Sequence, residues 1–378
     1  MSLENRQQIY LDFNASTPID PRVELVMRQT MESAYGNPSS PHWAGAPARV
    51  IVESARQKVA TSLGCKPGEI VFTSGGSESN NQVLKGIFFA RNTPNAHIIT
   101  TAVEHPAIVE PCRFLERLGA RITWLPVDAT GRVNASDLRQ AITGDTILIS
   151  IMHANNEVGT LQPIEDCAQI ARENGIPFHT DAAQSVGKVP TKVDELGVDF
   201  LTIAGHKLYA PKGIGVLYIR EGTELEPLIH GAGHEHGRRA GTESASLTAA
   251  LGEACELARD LSGMPRIEAL RDQLWAALKK SCGDRVVLNG HPEERLPNTL
   301  NVSFLGHMGN ELLARLPEIA VSTGSACHAG RVEISPVLRA MGVSPEVGAG
   351  AVRFSLGRTT TSEEIEIAIE LLTRSLAG

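Results

Sequence analysis

The chain has 378 residues, 42% of them hydrophobic, and a formal net charge of -8. This length suits roughly two to three domains, and the acidic balance argues against nucleic-acid binding as the main task. The first residues carry no signal-peptide pattern, and no apolar run has the length of a membrane span. We therefore expect a soluble, cytoplasmic protein that acts on neither nucleic acid nor membrane.

The six cysteines are scattered along the chain and form no CxxC pair. This spacing argues against a disulfide framework and against a structural zinc site. Five of them are interpreted as small buried hydrophobic residues: Cys65, Cys112, Cys167, Cys255 and Cys282. The sixth, Cys327, lies among glycines and small residues in AVSTGSACHAGRVEISP. That composition is typical of a mobile, accessible segment rather than of a core.

Seven short apolar runs predict buried strands in the first two thirds of the chain. They are EIVFTSG, HIITTAVEH, RITWLPVD, TILISIMHANNE, PFHTDAAQ, FLTIAGHK and IGVLYIR. Most are continuously apolar, as expected for strands that are covered on both faces. Helical patterns such as IEDCAQIARENG lie between many of them. The alternation predicts an α/β large domain, residues 16–260, with a mainly parallel seven-stranded sheet between helices.

The pattern changes after about residue 260. An amphipathic helix, MPRIEALRDQLWAALKKS, is followed by the short strands RVVLNG, NTLNVSF and AVRFSLG. The last helix opens with a capping box from Thr361 to Glu364. We predict a smaller α+β domain made of residues 1–15 and 261–378.

Polar residues collect where the predicted strands end, and ligands of open α/β sheets bind beyond the carboxyl ends of the strands. The first such group, Ser74 to Ser77, precedes a helix and offers glycines and free N–H groups to a phosphate; an ordinary turn is the alternative. The others are His105, Asn155, Asn156, Glu157, His179, Asp181, Gln184, His206 and Lys207. An amine beside a phosphate cradle and a carboxylate indicates pyridoxal 5'-phosphate (PLP), which needs a lysine and an acid for its ring nitrogen.

Ten motifs occur here in the order seen in cysteine desulfurases of the NifS/IscS type, which are class V members of the fold-type I PLP enzymes. They are IYLDFNASTPIDP, GNPSSPH, FTSGGSESNN, EHPAI, ANNEVG, HTDAAQSVGK, AGHKLYAPKGIGVLYIR, GRRAGTES, GSACH and VRFSLGR. The chain resembles this family over nearly its whole length. The resemblance implies a PLP-dependent transferase that converts L-cysteine to L-alanine.

The resemblance also implies roles around the cofactor ring. Lys207 would form the Schiff base and later move the Cα proton. Asp181 would hold the protonated ring nitrogen, and His105 would stack on the ring and assist in proton transfer. Gln184 and Asn156 would lie near the ring hydroxyl.

At the phosphate, the resemblance implies binding by Gly76, Ser77 and His206. Thr242 would reach the phosphate of the partner subunit, so that a homodimer completes the site. One departure concerns Ala204, which stands where the IscS-like pattern has a serine. We therefore expect one phosphate hydrogen bond to be missing.

For the substrate, the resemblance implies that Arg353 pairs with the carboxylate, a task suited to a planar two-pronged donor, with Asn14 assisting. Cys327, on a loop at about residues 322–334, would take the substrate sulfur as a persulfide, and His328 would favour its thiolate. The sulfur would pass to an acceptor protein, either an iron–sulfur scaffold or a thiolation enzyme.

Two other interpretations compete with this one. Selenocysteine lyase is a related branch, and GNPSSP, HTDAAQ, LGVDFLTIAGHK and the histidine after Cys327 are similar to it. A metal-binding or regulatory protein would use His230, His234 and His236 of HGAGHEHGRR. No carboxylate or cysteine lies at supporting spacing, so we expect no metal and interpret this stretch as a glycine-rich loop. A cofactor-free binding scaffold is the remaining alternative.

Overall fold

The computed structural model describes residues 8–323, 325–328 and 331–377, with the backbone alone for 325–328, 331–333 and 377. The strands, in chain order, are β1 (Ile9–Tyr10), β2 (Ile70–Thr73), β3 (His97–Thr101), β4 (Arg121–Leu125), β5 (Thr146–Ser150), β6 (Phe178–Asp181), β7 (Phe200–Ala204), β8 (Gly215–Ile219), β9 (Val286–Asn289), β10 (Thr299–Phe304), β11 (Ile319–Ala320), β12 (Ser322–Thr323), β13 (Ser325–His328), β14 (Arg331–Ile334) and β15 (Ala351–Ser355). The α-helices are α1 (Pro21–Ser33), α2 (Gly45–Leu63), α3 (Gly76–Arg91), α4 (Pro106–Arg117), α5 (Ala135–Ala141), α6 (Ile164–Glu173), α7 (Val193–Leu196), α8 (Ala245–Ala258), α9 (Met264–Cys282), α10 (Gly309–Ala314), α11 (Pro336–Ala340), α12 (Pro345–Gly348) and α13 (Ser362–Ala377).

The larger sheet has seven strands in the order β2-β8-β7-β6-β5-β3-β4. Strand β8 runs antiparallel to both of its neighbours, and the pairs from β7 to β4 are parallel. Each of the seven predicted apolar runs forms one of these strands. The predicted α/β class with a mainly parallel sheet between helices is therefore confirmed.

Side chains on the two faces of this sheet belong to two separate hydrophobic clusters, because successive side chains of a strand point to opposite faces. On β2, Ile70 and Phe72 join the cluster with α1, α2, α6 and α8, whereas Val71 joins the cluster with α3 and α4. Strand β7 divides in the same way, with Leu201 on one side and Phe200 on the other. The sequences of these strands are continuously apolar because helices cover both faces of the sheet.

The smaller sheet is antiparallel, with the order β12-β15-β10-β9. Helices α9 and α13 pack together, and their apolar residues form one cluster with this sheet. The capping box is present, since Thr361 Oγ1 accepts from the Glu364 N–H (3.2 Å) and Glu364 Oε2 accepts from the Thr361 N–H (2.8 Å). The parallel pair β1–β11, which the sequence did not predict, ties the N-terminal segment to this part of the chain.

The segment after β1 crosses the carboxyl edge of the larger sheet. The Thr17 N–H donates to the carbonyl oxygen of His206 (2.9 Å), just beyond β7, and the Phe13 N–H donates to that of Ser355 in β15 (3.1 Å). In the turn after β7, residues 205–207 form a short 3₁₀ helix. These contacts bring both sheets and the N-terminal segment to the same edge, where the predicted site residues lie.

The turn from β2 into α3 depends on a close approach of two backbones. Gly75 has φ 148°, a value that other residues rarely adopt, and it is followed directly by the first residue of α3. A Cβ on Gly215, at the start of β8, would lie 2.6 Å from the Gly75 Cα atom and 2.6 Å from the Ile203 carbonyl oxygen. Glycine at position 215 therefore allows β8 to pass beside this turn.

Substitution Gly215→Ala is expected to lower the free energy of unfolding by about 2 kcal/mol, because the added methyl group meets backbone atoms that have no room to yield. Urea unfolding followed by circular dichroism measures this change. Gly144→Ala is the matched control, since a Cβ there meets nothing within 4 Å. Equal unfolding free energies for the two variants would contradict the close approach.

Candidate active site

One cavity of ≈ 410 Å³ lies at the carboxyl edge of the larger sheet. The sequence predicted twelve site residues, and ten of them line this cavity. They are Asn14, Gly76, Ser77, His105, Asn156, Asp181, Gln184, His206, Lys207 and Arg353. The fold thus brings together residues that lie up to several hundred positions apart in the chain, because parallel strands end at one edge.

The amine of Lys207 projects from the turn after β7 and is held by the N-terminal segment. Its Nζ atom donates to the carbonyl oxygens of Asn14 (2.7 Å) and Ala15 (2.8 Å). Burial, reinforced by the charge of Arg353, lowers the pKa of Lys207 to about 8, with Asp12 and Asp181 opposing the change. A much larger fraction of this amine is therefore unprotonated near neutral pH than in an exposed lysine, as a nucleophile or base requires.

The carboxylate of Asp181 stands at the end of β6 and is oriented by two donors. Its Oδ2 atom accepts from Asn80 Nδ2 (2.7 Å), and its Oδ1 atom accepts from the Ala183 N–H (2.9 Å). Asn80 lies on α3, lines the same cavity and is buried. Sequence reasoning missed Asn80, although asparagine inside a helix is a poor helix former and so points to a role for its side chain.

Another part of the cavity lining suits an anion. Gly76 and Ser77 open the 16-residue helix α3, whose first N–H groups carry the positive end of the helix dipole. A Cβ on Gly76 would lie 3.3 Å from the Cβ of Ala204, so glycine keeps this corner open. Burial and the charge of Lys207 lower the pKa of His206 to about 4, so its imidazole is neutral.

His105 caps the N-terminus of α4, because its Nδ1 atom accepts from the Ala107 N–H (3.1 Å). Burial lowers its pKa, Lys207 acts in the same direction, and Asp181 opposes the shift. A neutral imidazole that accepts at Nδ1 carries its proton on Nε2. The helix cap therefore sets the tautomer of a histidine that lines the cavity.

Arg353 on β15 brings a guanidinium group to the cavity and is held from three sides. Nη1 donates to the Asn156 carbonyl oxygen (2.9 Å), and Nη2 donates to Asp12 Oδ1 (2.8 Å) and to Ser322 Oγ (2.9 Å). The Nε atom is buried and has no hydrogen-bond partner among the described residues. Asp12 was missed by the sequence reasoning, although a carboxylate inside the apolar run IYLDF is a signal of pairing.

Asn14 joins the two sides of the cavity. Its side-chain Nδ2 donates to Thr299 Oγ1 (2.8 Å), and its carbonyl oxygen accepts from both Lys207 Nζ and Gln184 Nε2 (3.0 Å). On its other side, Gln184 Oε1 accepts from Lys188 Nζ (2.9 Å). Lys188, which lies in the quoted motif HTDAAQSVGK, received no role from the sequence reasoning.

A further residue that the sequence reasoning missed is Glu104, next to His105. Its Oε1 atom accepts from Thr101 Oγ1 (2.8 Å) and from the Met152 N–H (2.9 Å). Burial raises its pKa to about 8, so the carboxyl group is mainly protonated at neutral pH. This neutral acid adds no charge beneath the histidine.

Two predicted residues are not part of this cavity. Thr242 is exposed and lies outside it. The side chain of Cys327 falls outside what the structure describes; its backbone belongs to β13 and is paired with Val332 of β14.

Of the histidines considered as metal ligands, His234 accepts at Nδ1 from the Gly241 N–H (3.2 Å). Across residues 8–323, 325–328 and 331–377, no group of three His, Cys, Asp or Glu side chains is arranged to hold a metal ion.

Comparison with known proteins gives this site its class. Residues 9–367 match the family described as Aminotransferase class-V. The chain therefore belongs to the class-V aminotransferases.

Within that class, two relatives named "Cysteine desulfurase IscS" are closely similar. The one from Dictyoglomus turgidum is 48% identical over 373 residues, which cover 98% of this chain and 94% of the relative. The one from Methanosarcina thermophila is 45% identical, and the match covers 98% of this chain and 92% of the relative. A solved structure described as a NifS-like protein has a TM-score of 0.92 at 38% identity, covering 98% of this chain and all of that one. The resemblance to NifS/IscS-type cysteine desulfurases and the fold-type I architecture are confirmed.

Class-V aminotransferases and the IscS and NifS enzymes depend on PLP. The residues present here fit that group. Lys207 supplies an amine whose pKa is lowered, Asp181 supplies a buried carboxylate, and the open corner at Gly76 leaves room for an anion beside the start of α3. The cavity thus holds each functional group that the cofactor needs.

The rate at which the PLP-free protein takes up PLP is expected to rise with pH through about 8, because only the unprotonated amine of Lys207 attacks the cofactor carbonyl. Stopped-flow absorbance at a series of pH values measures this rate. Lys207→Arg keeps the positive charge but should form no adduct that borohydride can trap, whereas Lys212→Arg, which changes an exposed lysine, should behave as wild type. A rate that rises only near pH 10 would show that the pKa of Lys207 is not lowered.

Proposed function

We propose that this protein is a PLP-dependent cysteine desulfurase that converts L-cysteine to L-alanine and keeps the sulfur on Cys327 as a persulfide. The observation that supports this most strongly is the convergence of Lys207, Asp181 and Arg353 on one cavity. An amine, a carboxylate and a guanidinium are the groups that PLP chemistry on an amino acid needs. The sulfur would then pass to an acceptor protein, an iron–sulfur scaffold or a thiolation enzyme.

The residues that would hold the cofactor lie along the cavity. Asp181 would keep the ring nitrogen protonated, His105 would stack on the ring, and Gly76, Ser77 and His206 would bind the phosphate. Once bound, the cofactor supplies an electron sink for the charge that develops at the substrate Cα atom. Asn156 and Gln184 would lie near the ring hydroxyl.

Proton movement falls to Lys207. Its lowered pKa lets the neutral amine accept the Cα proton of L-cysteine near neutral pH and return a proton later. The neutral His105 has its Nε2–H free of the helix cap and is the second candidate for proton transfer. Both side chains line the cavity, so solvent need not carry these protons.

Sulfur transfer falls to Cys327. Its thiolate attacks the substrate γ sulfur, a new S–S bond forms, and the bond between carbon and sulfur breaks. The electrons of that broken bond stay with the substrate carbon, which is protonated to the methyl group of alanine. One thiol of the protein and one cysteine thus become one persulfide and one alanine, so atoms and electrons balance without a further oxidant.

Arg353 is proposed to bind the substrate carboxylate with help from Asn14. It already makes an ion pair with Asp12, whose side chain is mostly buried, and its buried Nε has no partner among the described residues. A planar guanidinium can offer two parallel N–H donors to a carboxylate, which a lysine cannot. Asp12 would hold the guanidinium in place until the substrate arrives.

Arg353→Lys is expected to raise KM for L-cysteine about 10-fold to 100-fold, because the two-pronged contact is worth roughly 1.5–3 kcal/mol and a single ammonium cannot reproduce it. Steady-state alanine release measures KM and kcat. Arg374→Lys, at an exposed position of α13, is the control and should leave both unchanged. An unaltered KM in Arg353→Lys would remove Arg353 from the substrate site.

A homodimer is part of the proposal, because Thr242 would bind the phosphate in the partner's cavity. Thr242 is exposed in the single chain, which such a contact requires. Tyr35 and Trp43, between α1 and α2, are 77% and 78% exposed, an unusual state for large apolar side chains. Burial of these residues against a second copy would remove that apolar surface from water.

The domain boundaries are also proposed: residues 16–260 as the large domain, and 1–15 with 261–378 as the small one. The apolar residues support this division, because Ile9 and Leu11 share a hydrophobic cluster with residues 267–376.

A cytoplasmic location is proposed as well. The five cysteines whose side chains are described are all free thiols, which suits a reducing compartment. No helix among the described residues is long and apolar enough to span a membrane.

The alternative, selenocysteine lyase, is not favoured, because the matched relatives carry the name cysteine desulfurase. The two activities differ in whether they require the thiol of Cys327. A selenol is ionised at neutral pH, and its selenium can leave without attack by a protein thiol.

Cys327→Ser is expected to lower alanine release from L-cysteine at least about 100-fold, since the sulfur has no thiolate to attack it. Alanine is measured with L-cysteine and with L-selenocysteine as substrates. Cys65→Ser is the matched control, because burial raises the pKa of the Cys65 thiol to about 12 and makes it a poor nucleophile. Full activity of Cys327→Ser on both substrates would support the lyase and end the role of Cys327.

A further inference from the structure

Lys188 is a lysine with no place in the chemistry described above. It lies between β6 and α7, where its Nζ atom donates to Gln184 Oε1 (2.9 Å) and lies 3.5 Å from Asn14 Oδ1. Burial of the ammonium, reinforced by the charges of Lys207 and Arg353, lowers its pKa to about 7. No ion pair with a carboxylate is found for it among the described residues. A partly buried cation with neutral partners is costly, so its presence beside the site calls for a function.

The position of Lys188 restricts the orientation of the Gln184 carboxamide. In its charged form Lys188 only donates hydrogen bonds, and the carboxamide turns its oxygen, Gln184 Oε1, towards it. The nitrogen then faces the cavity side, where it donates to the carbonyl oxygen of Asn14 (3.0 Å). A carboxamide nitrogen has two N–H groups, and the second one makes no hydrogen bond within the described part of the chain. Gln184 therefore brings a free donor to a cavity that it lines.

Gln184 and Lys207 share one acceptor. The carbonyl oxygen of Asn14 accepts from Gln184 Nε2 and from Lys207 Nζ, so Lys188 reaches the amine through a chain of hydrogen bonds. The charged groups around this chain are Lys207 and Arg353 on the cavity side, with Asp12 and Asp181 acting on Lys207. Arg358 and Tyr209 line the narrow cavity behind Lys188.

We propose that Lys188 is a positioning residue that holds the Gln184 carboxamide with its nitrogen towards the cavity and so presents an N–H donor to the cofactor ring oxygen. This inference rests on the proposed function, because it concerns the cofactor that Lys207 binds. A positive charge and an N–H donor beside that oxygen both favour the deprotonated, more negative form of the bound cofactor. Loss of Lys188 should therefore make that form harder to reach.

The main test compares Lys188→Met with Lys192→Met, each in the protein loaded with PLP. Lys192 lies four residues further on and donates to the backbone carbonyls of Thr61 (3.1 Å) and Ser62 (2.9 Å), away from the cavity. In K188M, the midpoint of the pH titration of visible absorbance should rise by about one unit and kcat/KM should fall about tenfold. In K192M, both should stay at the wild-type values. Lys188→Arg, which keeps charge and donors, should recover most of the kcat/KM.

A second comparison asks whether Lys188 acts through Gln184. Gln184→Leu removes the carboxamide, so adding K188M to it should cause no further loss of kcat/KM. Gln184→Glu keeps an acceptor for Lys188 but has no N–H group, and it should raise the absorbance midpoint as K188M does. This variant leaves Lys188 intact, so an unchanged midpoint in it counts against the proposal even if K188M fails to fold, which thermal unfolding of the PLP-free protein would reveal.

The outcomes separate the two proposals. A wild-type protein that shows no Lys207-dependent visible absorbance and releases no alanine would overturn the proposed function. A wild-type protein that passes both checks, with K188M indistinguishable from K192M, would overturn only the role of Lys188. Additive losses in the K188M/Q184L double variant, or an unchanged midpoint in Gln184→Glu, would likewise show that Lys188 does not act by orienting Gln184.

Discussion

The site depends on the desolvation of one amine. Lys207 follows a fully buried strand, and its surroundings make the charged form costly. Two backbone carbonyls, from Asn14 and Ala15, are the groups that meet it. Backbone dipoles stabilise an ammonium less than a carboxylate would, so the neutral amine stays within reach at physiological pH. The remainder of the fold is the scaffold that partly buries this amine, and no described residue gives it a counter-ion at contact distance.

That scaffold depends on backbone segments that lie close to one another. The N-terminal segment lies across the carboxyl edge of the larger sheet because its own hydrogen bonds reach both the turn after β7 and strand β15. On the other side, the β2–α3 turn passes against β8 because Gly215 has no side chain and Gly75 adopts a φ of 148°. The two together leave a cavity whose lining includes both an amine and a helix N-terminus. A cofactor that carries both an aldehyde and a phosphate matches that separation of functions.

The charges around the cavity are unevenly neutralised. Arg353 has Asp12 as a partner, whereas Lys188 and Lys207 are held mainly by amide and carbonyl oxygens. Asp181, a carboxylate that lines the cavity, takes its hydrogen bonds from Asn80 and a backbone N–H rather than from a cation. The cavity therefore favours anionic groups, which suits an amino acid carboxylate and a phosphate. Beside burial, the charge of Arg353 lowers the pKa of both lysines, and the charge of Lys207 also lowers that of Lys188.

The sequence by itself determined the seven strands of the large sheet, since continuous apolar runs have few other uses, and most residues of the cavity, since polar groups at strand ends collect on one edge. Only the tertiary structure determined which neutral or charged groups contact these cavity residues. Asp12, Asn80 and Glu104 each hydrogen-bond a residue far along the chain, and Lys188 contacts both the nearby Gln184 and the distant Asn14. The sequence alone does not show which of these partners each side chain meets. The pKa values of the ionisable groups at the site depend on burial and on the distances between charges, and both are properties of the folded chain alone.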